Sequence, residues 1–128
     1  MTPKFRAWDK RSNQMCEVLQ ISFELEFVQC TTGWVRTFFF GDEDCDLMQS
    51  TGLKDKNGKE IFEGDIVDVG TRIPFLNEIK RDCDSGYLKL VPIDKRWTEG
   101  FFTNYEDKSR YEVLGNIYEN PELLEVEL

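Results

Sequence analysis

The chain has 128 residues, a formal net charge of −9, no histidine and 13% aromatic residues. That length suits one domain able to bury about two-thirds of its unfolded surface, and the aromatic supply separates it from disordered acidic chains. The negative field disfavours direct nucleic-acid binding, the missing histidine removes Ser-His and Cys-His nucleophilic catalysis within one chain, and no apolar run approaches the ~20 residues of a membrane span.

Lys4-Phe5-Arg6-Ala7-Trp8 alternates charge with bulk ahead of the polar cluster Asp9 to Asn13, the pattern of a strand and a turn. A second strand is expected at Met15 to Leu19. From Ile21 the alternation is two-fold: Ile21, Phe23, Leu25 and Phe27 are apolar and Ser22, Glu24 and Glu26 are polar, which predicts a strand with one buried face. Thr31-Thr32-Gly33 turns the chain into Trp34 to Phe40, rich in β-branched and aromatic residues and expected to be the hairpin partner. After the acidic stretch Gly41 to Asp46, Leu47 to Thr51 reads as a short strand.

Asn57-Gly58 has the composition of a type I′ hairpin turn, and Gly64-Asp65 reads as a second corner feeding Ile66 to Val69. Gly70 to Lys80 carries Pro74 and reads as a long loop ending in an irregular strand. Asp84-Ser85-Gly86 turns into Tyr87 to Val91, a strand stopped by Pro92. Tyr111 to Tyr118 is the last clear strand, bent at Gly115, and Asn120-Pro121-Glu122 offers a cap residue, a first-turn proline and an early acid for one closing helical turn. Many short strands without a long helical period predict a mainly β fold, a small antiparallel roll or barrel with long loops, in a single domain over 1–128. No signal-like apolar segment follows Met1 to Arg6, so a cytoplasmic location is expected.

Few residues nominate themselves for chemistry. Trp97, Phe101, Phe102 and Tyr105 cluster around Gly100 and form the candidate interaction surface: exposed rings stack on a partner, whereas buried rings are core. Asp42-Glu43-Asp44-Cys45-Asp46 alternates carboxylates as a calcium loop does, but the sixth and twelfth positions from Asp42 are Leu47 and Leu53, where such a loop needs glycine and a bidentate acid. Cys16, Cys30, Cys45 and Cys83 form no close pair and read as reduced thiols, Cys16 and Cys30 in the core, Cys45 and Cys83 among aspartates that raise a thiol pKa. Gly52, Gly58 and Gly64 read as turn glycines, since no Gly-Lys-Ser or Gly-Lys-Thr follows them. No catalytic residue, metal ligand or cofactor is nominated.

Three blocks resemble the YopX family of phage and prophage proteins: Lys4 to Asp9, Leu47 to Val67, and Tyr111 to Leu123. In the middle block Met48-Gln49, Thr51-Gly52-Leu53-Lys54-Asp55 and Glu63-Gly64-Asp65-Ile66-Val67 stand in the family's order and spacing, with Ser50 where the family often has an aromatic. The resemblance implies a small barrel similar to SH3-type folds and a mobile-element origin, and it supplies no activity. Residues 10 to 46 and 68 to 110 match no block, and a partner-specific surface is expected there.

The preferred functional reading is a non-enzymatic module that binds a host or phage protein. A second is an acidic DNA mimic that presents Glu24, Glu26, Asp42, Glu43, Asp44 and Asp46 to a host DNA-binding protein. A third is an enzyme or nucleic-acid binder with a loop site at Lys95, Arg96, Trp97 and Phe101. In the tail, Leu124, Val126 and Leu128 alternate with Glu125 and Glu127, which predicts a strand that adds to a second copy and makes a homo-oligomer.

Overall fold

Turn chemistry divides this chain into short strands, most of which pair with the next strand in sequence, while Phe5–Asp9 with Cys45–Lys54 and Asp65–Asp68 with Glu112–Asn116 pair over longer separations. The computed structural model describes residues 4–70, 72, 75–82, 84–97, 100–101 and 110–125. The strands are β1 (Phe5–Asp9), β2 (Gln14–Ser22), β3 (Phe27–Thr31), β4 (Val35–Phe39), β5 (Cys45–Lys54), β6 (Glu60–Phe62), β7 (Asp65–Asp68), β8 (Leu76–Arg81), β9 (Leu88–Pro92), β10 (Gly100–Phe101) and β11 (Glu112–Asn116). One 3-10 turn, Pro121–Leu124, follows. The chain divides into two units, Met1–Ser50 and Thr51–Leu128, with the junction inside β5.

The first unit is an antiparallel sheet in the order β4-β3-β2-β1-β5. Its core is Ala7, Cys16, Cys30 and Phe38, all buried, with Val18 and Cys45 packed against them. At the end of β1, buried Asp9 accepts hydrogen bonds from the Ser12 hydroxyl at 2.8 Å and the Arg11 N–H at 2.9 Å, and it pairs with Arg36 of β4. Burial acts to raise the Asp9 carboxyl, but Ser12, the Arg11 N–H and Arg36 together hold it below the usual range.

The second unit carries an antiparallel sheet in the order β10-β9-β8-β7-β11 around a core of Ile61, Val67, Val69, Ile79, Leu90 and Tyr111. Buried Asp55 fixes how the β5–β6 hairpin meets this sheet. Its carboxylate accepts from the N–H groups of Lys59 at 2.8 Å, Asn57 at 2.9 Å and Val113 of β11 at 2.9 Å, and the Lys56 N–H donates to the Tyr111 carbonyl at 2.8 Å. Burial again acts to raise this carboxyl, and the Val113, Lys59 and Asn57 N–H groups overcome it, so it lies below the usual range. Asp65 repeats the device at the next corner, accepting from the Phe62 N–H at 2.8 Å, while Gly64, at φ 85, donates to Ile79 and accepts from Ile117.

The mainly β reading and the closing helical turn are what the structure has, and several expected details differ. Neither sheet closes into a barrel: the first ends on β4 and β6 and the second on β10 and β11. Phe23 to Glu26 is a turn between β2 and β3, not a strand, and Phe23 and Leu25 are 78% and 68% exposed. There Glu26 takes φ 56, and the Ser22 hydroxyl caps the Leu25 N–H, so local hydrogen bonding overrides the two-fold pattern.

The Asn57-Gly58 turn is not type I′, since only Gly58 has positive φ; the Gly58 N–H donates to the Asp55 carbonyl and the Asp55 side chain claims the Asn57 N–H instead. The end of the expected long loop is the regular strand β8, whose Asn77 and Ile79 are buried. Register shifts between Val113 and Gly115 bend β11 at the expected glycine, where a Cβ would collide with the Asn120 carboxamide. Glu122 to Leu124 lie in the 3-10 turn and not in a tail strand, because Pro121 presets the first turn; Val126 to Leu128 fall outside the described residues.

Asp55 and Asp9 both sit below their ordinary pKa in the folded chain, so each contributes stability that is present above the unfolded carboxylate range and lost as the pH falls through it. The melting temperature should be flat above about pH 5 and fall steeply below about pH 4. Asp55→Asn should remove part of that acid slope, and thermal melts across the range read it.

Candidate functional site

Cross-strand register decides which side chains of the first unit share a face. Phe5 and Ala7 alternate with Arg6 and Trp8, Leu47 lies opposite Ala7, and Val28 lies opposite both Ile21 and Phe38. Tracing the pairs through Cys16, Val18 and Cys30 puts Phe5, Leu47, Ile21, Val28 and Phe38 on one face. These side chains line a groove of about 380 Å³, completed by Phe23, Phe39, Phe40, Gly41, Asp42 and Cys45. Asp42 is the one Asp, Glu, Lys or Arg among these lining residues.

Local geometry explains why aromatic rings gather there. The Phe40 N–H donates to the Glu26 carbonyl at 2.9 Å, which brings the β2–β3 turn beside the exit of β4. The Phe23 and Phe40 rings then meet edge to face with centroids 6.0 Å apart. Phe23 and Phe39 remain 78% and 68% exposed, so the groove has an apolar mouth as well as an apolar floor. Glu24, Glu26 and Glu43 on the adjoining connections are exposed. The Phe38-Phe39-Phe40 run was the sequence signal for this site: three successive large rings on a strand put apolar area on both faces of a sheet.

The residues nominated from sequence stand elsewhere. Trp97 is 61% exposed and packs edge to face on Phe75 at 5.8 Å. The Phe101 backbone pairs with Lys89, while Phe102 and Tyr105 fall outside the described residues. Lys95 is exposed, and Arg96 pairs with Asp94 at 2.5 Å. The acidic stretch is turned inward on its own chain: Arg11 meets Asp44 at 2.6 Å and Asp42 at 3.7 Å, and Lys10 meets Asp46 at 3.3 Å. Three of the six acids of the DNA-mimic reading therefore face cations of the same unit. Among the described residues no group of three or more His, Cys, Asp or Glu side chains is arranged to hold a metal ion.

A family model described as YopX protein matches residues 4–125. The chain belongs to the YopX family. Protein EF1440 from Enterococcus faecalis, known from a crystal structure, is similar at 30% identity over 98% of this chain and 99% of its own, with a TM-score of 0.64. YopX from Bacillus subtilis shares the fold at 22% identity, covering 95% of this chain and 98% of its own with a TM-score of 0.60. No curated protein matches the chain.

The middle and last YopX blocks hold the hydrogen-bonded corners of the second unit, while the first block, Lys4 to Asp9, is strand β1 of the first unit. Asp55 and Asp65 lie in the middle block, and the last block holds Asn116, which accepts from the Tyr118 and Glu119 N–H groups at 3.0 and 2.8 Å, and Asn120, which accepts from the Asn116 N–H at 3.2 Å. The groove draws instead on Ile21 to Cys45, outside those blocks, with Phe5 and Leu47 as the exceptions. Among the described residues no helix is long and apolar enough to cross a membrane.

Three thiols sit in or beside the first core. Burial first, then Cys16, pushes the Cys30 thiol up to about 12; burial first, then Asp46 and Asp42, pushes Cys45 up to about 11; Cys16 is raised as well, again by burial. Cys83 falls outside the described residues. In a Cys83→Ser background at pH 8, a chromogenic disulfide reagent should react with Cys45 on the order of 10²-fold more slowly than with a free cysteine, and with Cys30 more slowly still, both recovering the free rate in denaturant.

Proposed function

We propose that this YopX-family chain is a non-enzymatic interaction module of phage or prophage origin, working in the bacterial cytoplasm, that acts by binding a protein through the groove of its first unit. The observation that carries this reading is the apolar groove with its exposed rings of Phe23 and Phe39. Contiguous apolar area on a surface mouth is costly to leave in water, and partners recover that cost by inserting an aliphatic or aromatic anchor. The exposed acids Glu24, Glu26 and Glu43 favour a partner segment whose anchor is flanked by Lys or Arg. The −9 charge of the whole chain steers encounter toward such basic segments.

The wild-type chain and a Phe23→Ser/Phe40→Ser variant, immobilised in parallel, should be exposed to extracts of lysogenic cells. A protein retained by the wild type should be depleted at least tenfold by the variant, and calorimetry with that purified protein should show binding that weakens as salt rises. Identical captured sets on the two resins would contradict the reading.

A further inference from the structure

Strand β4 is an edge of the first unit's sheet, and its one charged residue, Arg36, is held by Asp9. Val35–Phe39 contains no lysine, proline or bulge, and its register with β3 is unbroken. The edge strand β11 shows the contrast. It is bulged between Val113 and Gly115, and the Asp55 carboxylate and Lys56 N–H take up Val113 and Tyr111.

Pairing parity identifies the outward groups. Because the Phe40 N–H donates to Glu26, the residues that bond to β3 are Phe40, Phe38 and Arg36, and those that face outward are Phe39, Thr37 and Val35. The Phe39 carbonyl accepts from the Asp42 N–H at 3.1 Å; among the described residues the backbone of Thr37 has no such partner. The same three side chains are exposed, Val35 at 62% and Phe39 at 68%, with Trp34 and Phe40 also exposed beside them.

We infer that β4 pairs antiparallel with β4 of a second copy of this chain, about a two-fold axis at Thr37, joining the two first-unit sheets into one. The strand is complementary to itself in that register. Thr37 faces Thr37 of the second copy and the two exchange both backbone bonds. Val35 faces Phe39, a β-branched residue against an aromatic, and Arg36 faces Phe38, so no like charges meet. Arg36 stays with its own Asp9. The acids Glu24, Glu26, Asp42 and Glu43 all lie beyond the Phe39 end, and antiparallel pairing sends the two sets to opposite ends, whereas parallel pairing would stack them. The occupant is therefore a second copy, and the contact shares Phe38 and Phe39 with the groove.

Sedimentation equilibrium from about 1 to 200 μM tests this, with association in the micromolar range expected for so small an interface. The wild type should pass from monomer to twice that mass. Thr37→Lys places a charge at the two-fold axis, and Thr37→Pro removes the outward N–H; each should shift the midpoint upward at least tenfold with the far-ultraviolet circular dichroism unchanged. Should Thr37→Pro lose its fold, Thr37→Lys alone decides. A wild type that stays monomeric at 200 μM, or a dimer whose midpoint Thr37→Lys leaves in place, overturns the inference.

Discussion

The second unit depends on one buried carboxylate. Asp55 satisfies two N–H groups of its own hairpin and a third on Val113, and through that third bond it fixes the hairpin against β11. Tyr111, whose carbonyl takes the Lys56 N–H, belongs to the core with Ile61 and Ile79, so the hairpin bonds and the apolar packing constrain the same strand. Lys56 and Glu112 add an ion pair at 2.7 Å on the exposed side. A charge-assisted bond of this kind is worth about 1.5–3 kcal/mol, and orphaning the donors costs a similar amount. The corner at Asp65 and the turn at Asn116 use the same chemistry, a short side chain that accepts backbone N–H groups the sheet has left over.

That economy explains what was legible in the sequence. Strands bounded by Gly33, Gly58, Gly64 and Gly86 could be read because positive φ at those positions is a local demand, and the bend at Gly115 because glycine is needed where Asn120 comes close. The role of Asp55 could not be read, since its third partner is 58 residues away in sequence. The regularity of β8, expected only as an irregular strand at the end of a loop, could not be read either: Asn77 and Glu78 look like loop residues, and pairing to both β7 and β9 makes them a central strand. Phe23 and Leu25 misled in the opposite direction, because an alternating pattern reports a strand only where the backbone has no better local hydrogen bond.

The candidate site was less legible for a related reason. An aromatic cluster in sequence, as around Gly100, says nothing about which rings share a face; that requires register. In the first unit the register gathers Phe5, Ile21, Val28, Phe38 and Leu47 from five strands, and the turn bond from Phe40 to Glu26 adds Phe23. The division of labour follows. Polar side chains in the YopX blocks tie down the second unit, and apolar side chains mostly outside those blocks give the first unit its exposed groove and edge. The acids Asp42, Asp44 and Asp46 are partly neutralised by Lys10 and Arg11.

Hydrogen exchange at the Val113 amide, followed by NMR in the wild type and in Asp55→Asn, tests this dependence most directly. Asn offers an N–H donor where the carboxylate offered only acceptors, so one backbone donor must lose its bond. Lys59 and Asn57 share one oxygen and Val113 takes the other, so Val113 and the β11 amides around it should lose protection together, while Val28 and Phe38 in the first unit keep theirs. Unchanged exchange at Val113, with loss confined to Asn57 and Lys59, would show that Asp55 serves its own turn alone and would contradict its place as the tie between the hairpin and β11.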